Sequence, residues 1–124
     1  MIEEQCSKTG SYYYNINVSY EIPYNVLDSE EPGTMQAKDI LYSRLKSIVP
    51  DEYEKFAVKL VVYQLKDNYN YLVTYSSFFR SQEGLPMESY INVRETKEQI
   101  EEEIEEFFRT VDCEYRKINI KTFN

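Results

Sequence analysis

Residues 12–22, YYYNINVSYEI, carry the strongest structural signal in the chain. Every even-numbered position in this stretch is aromatic or β-branched, and every odd-numbered position after Tyr13 is polar. An apolar residue at every second position is typical of a β-strand with one buried face and one face in water. Pro23 ends the pattern, because proline cannot donate a backbone hydrogen bond to a neighbouring strand.

The sequence after this strand predicts a helix and then a β-hairpin. Apolar residues at three-to-four spacing indicate an amphipathic helix over about 34–49. Two segments rich in β-branched and aromatic residues follow at 56–65 and 69–79. The residues between them, Lys66 to Asn68, are typical of a turn. We therefore expect the two segments to pair as antiparallel strands.

The last third of the chain predicts a second helix and a final strand. Thr96 and Gln99 have the spacing of a capping box, so we expect the helix to begin there. Residues 90–93 are predicted to form a short extra strand before it, and residues 115–122 the last strand. Apolar residues at helical spacing mark the buried side of this helix: Ile100, Ile104, Phe107, Phe108 and Val111.

The predicted order of elements is β-α-β-β-α-β. This order is that of the ferredoxin-like arrangement, an α+β fold with a four-stranded antiparallel sheet and two helices on one face. Strand 56–65 would lie at the edge of that sheet, although it is the most apolar strand. Either the extra strand at 90–93 or a second subunit would cover it, and we expect a homodimer through strand 56–65.

The chain has 124 residues, which favours a single domain over residues 1–124 with a flexible N-terminus at about 1–10. No run approaches the ~18 apolar residues that a membrane span requires. The first ten residues are polar and acidic, unlike a signal peptide. These features predict no membrane contact and a cytoplasmic location, in the host cell if the protein is viral.

The chain carries 22 acidic and 14 basic side chains, a formal net charge of −8. Because nucleic-acid binding depends largely on attraction to phosphates, we expect no direct binding to nucleic acid. Tyr13, Tyr71 and Tyr75 loosely resemble the base-stacking residues of RNA-recognition motifs, but no glycine or basic residue accompanies them at the expected places. A basic protein, such as a nuclease or nucleic-acid-binding complex, is the expected partner.

Catalytic and metal-binding signals are weak. The chain contains no histidine and only two cysteines, so neither a zinc site nor a common nucleophile–base pair is expected. Its three glycines are isolated and form no phosphate-binding motif. We therefore expect no enzyme activity, no catalytic residue, no metal and no cofactor.

The second helix has the most distinctive composition. Five glutamates are predicted to project from the side opposite the isoleucines: Glu98, Glu101, Glu102, Glu105 and Glu106. Like charges four residues apart destabilise a helix, and only Lys97 and Arg109 are placed to offset them. Two interpretations stay open: a docking face for a basic groove, or a solvated helix that keeps the protein soluble.

Two acidic loops are further candidates for partner binding. The first contains Asp28, Glu30 and Glu31, and the second contains Glu83 and Glu88. Loops often carry recognition residues, although both could equally be ordinary connectors. We include the first loop in the predicted partner-binding surface.

In size, negative charge, richness in Tyr, Glu, Asn and Ile, and lack of a catalytic set, the chain resembles small anti-defence inhibitors of viruses, such as anti-CRISPR proteins. This resemblance is one of composition and carries no motif. It implies stoichiometric inhibition of a nuclease or surveillance complex by an acidic face that occupies a nucleic-acid site. The alternative is an oligomerising structural or assembly protein of a virus or microbe.

Overall fold

The computed structural model describes residues 2–6, 12–27, 37–49, 53–81 and 88–118. These residues form five strands and two helices. In chain order they are β1 (Ile2–Cys6), β2 (Tyr12–Ile22), α1 (Ala37–Lys46), β3 (Tyr53–Gln64), β4 (Tyr71–Ser81), α2 (Glu88–Thr110) and β5 (Arg116–Ile118).

All described strands belong to one antiparallel sheet in which β2 is central. One edge of β2 pairs with β4, and β4 in turn pairs with β3. Two short strands share the other edge of β2: β1 pairs with residues 12–16, and β5 pairs with residues 19–21. The alternating sequence of β2 therefore contacts three different strands.

The predicted α+β class, with an antiparallel sheet and two helices, is confirmed. The predicted ferredoxin-like order β-α-β-β-α-β is not matched, because the described sheet has five strands and begins with an additional one. The additional strand, β1, lies within the N-terminal segment that we expected to be flexible. Its sequence, IEEQC, lacks the clear alternation by which β2 was found.

The hydrophobic core lies between one face of the sheet and both helices. The even-numbered side chains from Tyr14 to Ile22 are buried there, as the alternation predicts. Leu41 and Leu45 of α1 join the same core. So do four residues of α2: Val93, Ile100, Ile104 and Phe108. Because both helices bury their apolar sides in this one cluster, they cover the same face of the sheet.

Helix α2 begins at Glu88, eight residues earlier than Thr96. The predicted extra strand at 90–93 is therefore wrong, and so is the predicted capping box. Thr96 lies inside the helix and is buried, as is Val93. Val93, Thr96 and Ile100 continue the spacing of the buried stripe, and this longer periodicity outweighs a local capping signal. Neither helix in the described part is long and apolar enough to cross a membrane.

Helix α2 ends in a backbone motif centred on Asp112. The Cys113 N–H donates to Phe108 O at 2.8 Å, and the Asp112 N–H donates to Arg109 O at 3.2 Å. This pair of bonds is the Schellman arrangement, which requires a left-handed residue after the helix. Asp112 adopts that conformation, with φ of 55°. The motif turns the chain back toward β5.

Strand β3 lies at the sheet edge, as predicted. It pairs with β4, and no other strand in the described ranges pairs with its outer edge. The pairing shifts register between Lys55 and Ala57, so Phe56 is an extra residue in a β-bulge. Bulges and lysines are both common at edges, where they discourage pairing with another strand.

The conformation of Asp112 generates a stability prediction. Because glycine adopts a left-handed conformation without the cost that a Cβ imposes, Asp112→Gly should raise the free energy of unfolding by about 0.5–1 kcal/mol. Urea denaturation monitored by circular dichroism measures this change. Asp112→Asn is the control for loss of the charge at the helix end. Glu114→Gly, at a residue without a positive φ, should instead lower stability; the same result for Asp112→Gly would contradict the assigned conformation.

Candidate protein interface on helix α2

The glutamates of α2 lie at different angles around the helix axis. Successive residues are ~100° apart, so Glu101 and Glu105 lie ~60° and ~100° from Ile104, at the border of the buried side. Glu98 and Glu102 lie ~120° and ~160° from Ile104 by the same spacing. Of the five predicted site residues, Glu101 and Glu105 therefore form an inner pair near the core. Glu98, Glu102 and Glu106 form an outer set.

Glu101 does not lie on a solvated face, and this part of the predicted site is corrected. Only 8% of the residue is exposed. Its Oε1 accepts a hydrogen bond from Lys97 Nζ at 2.7 Å, and its Oε2 forms an ion pair with Lys117 Nζ. The contact with Lys97, one turn earlier on α2, is the one that the sequence predicted. The contact with Lys117 comes from β5.

Glu105 also points toward the sheet. Its Oε2 accepts a hydrogen bond from the Tyr20 hydroxyl at 2.8 Å and lies 3.7 Å from Lys117 Nζ. Its Oε1 accepts a hydrogen bond from the Tyr115 hydroxyl at 3.2 Å. Lys117 thus lies between two carboxylates, and the hydroxyl groups of two tyrosines donate hydrogen bonds to Glu105. We call Tyr20, Glu101, Glu105, Tyr115 and Lys117 the inner polar network.

The inner polar network shifts the pKa of its members. Burial by itself would raise the pKa of Glu101, but the hydrogen bonds from Lys117 and Lys97 outweigh it and hold that pKa below the usual value. The hydrogen bond to Glu101 raises the pKa of Lys117. Burial and the Glu105 carboxylate raise the pKa of Tyr20 far above the usual value. At neutral pH Glu101 is therefore ionised, Lys117 is protonated and the Tyr20 phenol is neutral.

The inner polar network attaches β5 to α2. Register places Lys117 opposite Tyr20, on the helix-covered side of the sheet. The sequence analysis missed Tyr20, Tyr115 and Lys117 as partners of the glutamates. A signal was available, since Glu101, Ile104, Glu105 and Phe108 have the spacing of one helix face. Two acids at the border of a buried stripe require cations nearby.

The remaining glutamates form a continuous row on the solvent side of α2. Glu95, Glu98, Glu102 and Glu106 follow one another at spacings of three, four and four residues, and all four are exposed. The side chains of Glu102 and Glu106 are 67% and 68% exposed. At ~1.5 Å per residue the row is ~16 Å long. We call these four residues the exposed acidic stripe.

Arg109 and Arg94 lie near the two ends of the exposed acidic stripe. Arg109 Nη2 is 2.8 Å from Glu102 and 4.0 Å from Glu106, as an extended side chain on the last turn allows. The sequence predicted a contact of Arg109 with Glu105 or Glu106, and the shorter contact with Glu102 was not predicted. Arg94 lies one turn before Glu98 and makes contacts of its own. Glu103, beside the stripe, pairs with Arg44 of α1 at 3.6 Å.

The first acidic loop lies outside the part of the chain that the structure describes. Asp28, Glu30 and Glu31 lie outside the described residues, and so does Glu83. Of the eight predicted binding residues, three thus lie outside the description, two belong to the inner polar network, and three are exposed on α2: Glu98, Glu102 and Glu106.

The described residues also form a cavity of about 380 Å³ beside β3. It is lined by Tyr42 and Lys46 of α1 and by residues 55–59 of β3. Three of these residues are lysines and none is a carboxylate, so the side chains that line the cavity carry positive charge. Within the described ranges, no group of three or more metal-ligating side chains is placed to hold a metal ion.

No protein-family model, curated protein or solved structure matches the chain.

Lys117 generates the first prediction for this region. Lys117→Met leaves Glu101 and Glu105 close together without their shared cation, so the free energy of unfolding should fall by about 1–3 kcal/mol. Arg116→Met is the matched control, since Arg116 is the preceding residue and pairs with Glu21 on a more exposed site at 3.3 Å. The control should lose less than about 1 kcal/mol in urea denaturation. Equal losses would contradict the inner polar network.

Glu101 generates a pH prediction. Its pKa is lower in the folded chain than the ordinary 4.5, so its ion pairs stabilise the fold above that pH. The contribution is lost as the pH falls through the folded-state pKa. The stability difference between wild type and Glu101→Gln should therefore shrink from about pH 7 to about pH 3. Glu98→Gln is the control and should change stability little throughout; a wild-type advantage over Glu101→Gln that grows in acid would refute the assignment.

Proposed function

We propose that this protein is a non-catalytic binding protein that uses the exposed acidic stripe of α2 to occupy a basic surface of a protein target. The observation that carries the proposal is the continuous row Glu95, Glu98, Glu102 and Glu106. Its carboxylates point away from the core, whereas Glu101 and Glu105 of the same helix are held inside by Lys117.

The energetics of the stripe support a role outside the fold. Glu98 and Glu102, and again Glu102 and Glu106, are like charges four residues apart, and each pair costs a few tenths of a kcal/mol. The inner polar network already attaches α2 to β5 without the stripe residues. Arg109 pairs with Glu102 and Glu106 and offsets part of this repulsion. A row of like charges that the contact between α2 and β5 does not need is therefore a candidate for selection by a partner.

The charge of the stripe indicates what kind of partner fits. Carboxylates spaced along ~16 Å of helix complement a groove lined with lysine and arginine, such as one that binds nucleic acid. The target we propose is accordingly a nuclease or a nucleic-acid-binding complex, which the bound stripe would inhibit. This agrees with the resemblance in composition to anti-CRISPR proteins. Inhibition would take place in the cytoplasm, of the host cell if the protein is viral.

A second candidate function is assembly into an oligomeric structure. The observation that favours it is the group of exposed apolar side chains on β3, including Phe56, Val61 and Tyr63. In that case the acidic stripe would serve only solubility. Light scattering separates the two functions, since a large closed oligomer favours assembly, and a monomer or dimer favours the inhibitor.

Reversal of the stripe charges tests the proposed function. The triple variant Glu98→Lys, Glu102→Lys, Glu106→Lys should no longer capture basic proteins from an extract of the natural host. Proteins captured by the wild type should be released by high salt and by added DNA or RNA, because the stripe would compete for the same groove. Captured proteins are identified by mass spectrometry.

The control variant makes the same change in net charge elsewhere. Asp39, Asp67 and Glu114 are exposed acids outside the stripe, so Asp39→Lys, Asp67→Lys, Glu114→Lys should capture the same proteins as the wild type. Equal loss of capture by both triple variants would indicate a general charge effect. Retained capture by the stripe variant, or capture that nucleic acid does not reverse, would overturn the proposal.

A further inference from the structure

The sheet has a second face, turned away from both helices. Register assigns to it the odd-numbered residues of β2, the even-numbered residues of β4, and Ala57, Lys59, Val61 and Tyr63 of β3. Phe56, the extra residue of the bulge, lies on the same side, because its ring packs against Tyr13 and Phe78. We call this surface the outer sheet face.

The outer sheet face concentrates exposed apolar side chains. Of the exposed large hydrophobic residues in the described ranges, four lie on it: Phe56 (47%), Val61 (42%), Tyr63 (47%) and Phe78 (39%). Apolar patches of this kind on a small protein often mark a site of protein contact.

The patch has two parts. Tyr13, Phe56 and Phe78 form a stacked aromatic cluster toward one end, with ring centroids 5.3–6.2 Å apart. Arg80 lies over the Phe56 ring, 5.6 Å from its centroid. Val61 and Tyr63 lie toward the other end of β3. A polar row of Asn17, Ser76 and Lys59, which are neighbours in register, separates the two parts.

Charge distinguishes this face from the rest of the chain. Among the outer-face residues whose side chains the structure describes, Glu21 is acidic, and Lys59, Arg80 and Arg116 are basic. These residues carry no excess of negative charge, although the whole chain carries −8. Glu21 is paired with Arg116 at 3.3 Å and accepts a hydrogen bond from Asn70 at 3.2 Å. Two acidic copies can therefore approach each other here without facing their excess negative charge.

The edge of β3 is a poorer contact for a second copy than the face is. Lys55 and Lys59 lie on either side of the bulge at Phe56, and lysines on an edge strand discourage pairing with another strand. The bulge also interrupts the straight ladder of hydrogen bonds that such pairing requires. The face has neither obstacle.

We propose that two copies of this chain associate through their outer sheet faces. A two-fold axis running along β4 places the aromatic cluster of one copy on that of the other. The same axis keeps the two Lys59 ammonium groups on opposite margins of the contact. Both α2 helices lie on the far sides of the pair, so the dimer presents two exposed acidic stripes pointing away from each other. The inference is independent of what those stripes bind.

The area of the outer sheet face indicates how strongly the two copies should associate. A fully exposed aromatic side chain offers roughly 150–250 Å², so Phe56, Tyr63 and Phe78 together contribute roughly 250 Å² per copy. A standard stable interface buries about 800 Å² per partner, and polar side chains such as Asn17 and Ser76 would supply the remainder. The dimer is therefore a weak one that dissociates on dilution.

Sedimentation velocity over a range of protein concentrations tests the proposal. The wild type should show a reversible monomer–dimer equilibrium, and Val61→Lys should sediment as a monomer. Ile40→Lys is the matched control, because Ile40 is a β-branched residue of α1 with similar exposure, 40% against 42% for Val61. The control should dimerise like the wild type. Tyr63→Lys provides a second face variant, and circular dichroism verifies that each variant is folded.

Several outcomes would overturn the proposal. One is that the wild type stays monomeric at every concentration. Another is that the folded variants Val61→Lys and Tyr63→Lys still dimerise. A third is that the control variant Ile40→Lys fails to dimerise. An open polymer would equally exclude a two-fold pair. High salt should leave the dimer intact or strengthen it by screening repulsion, whereas it should release a target from the acidic stripe. The dimer and the contact of the acidic stripe with a target can therefore each be disproved without the other.

Discussion

The contact of Lys117 with Glu101 and Glu105 determines how the acids of α2 are used. One ammonium group from β5 holds two carboxylates of the helix against the sheet, with Tyr20 and Tyr115 as further donors to Glu105. Burial would penalise two such charges without a cation, so the fold depends on this pairing. The contact also separates glutamates that serve the structure from those that remain in solvent.

The molecule consequently has two different sides. On the helix side, the exposed acidic stripe of Glu95, Glu98, Glu102 and Glu106 presents a row of negative charge. On the other side, the described part of the sheet presents aromatic residues around Phe56 and Phe78 and no excess of negative charge. Such a division suits a protein that meets a basic target with one side and an identical copy with the other. The two proposed contacts should respond oppositely to salt, because one would be electrostatic and the other apolar.

Period-two alternation predicted β2 with both ends correct, since residues 12–22 alternate without a break. The start of α2 was missed because a capping-box spacing at Thr96 lay inside a longer helix whose core contacts begin earlier, at Val93. Strand β1 was missed because its few residues carry little pattern of their own and gain order by pairing with β2. At the site, exposed and inner glutamates could not be separated from one helix alone, since the cation that divides them comes from β5.

The most direct test of this account is an NMR titration of the Glu101 side-chain carboxyl carbon in the folded protein. The titration midpoint should lie below the ordinary glutamate value, because Lys117 and Lys97 stabilise the ionised form. In Lys117→Met the midpoint should move upward. A wild-type midpoint at or above the ordinary value, unchanged by removal of Lys117, would show that Glu101 is not held by this contact and would contradict the division of the α2 glutamates.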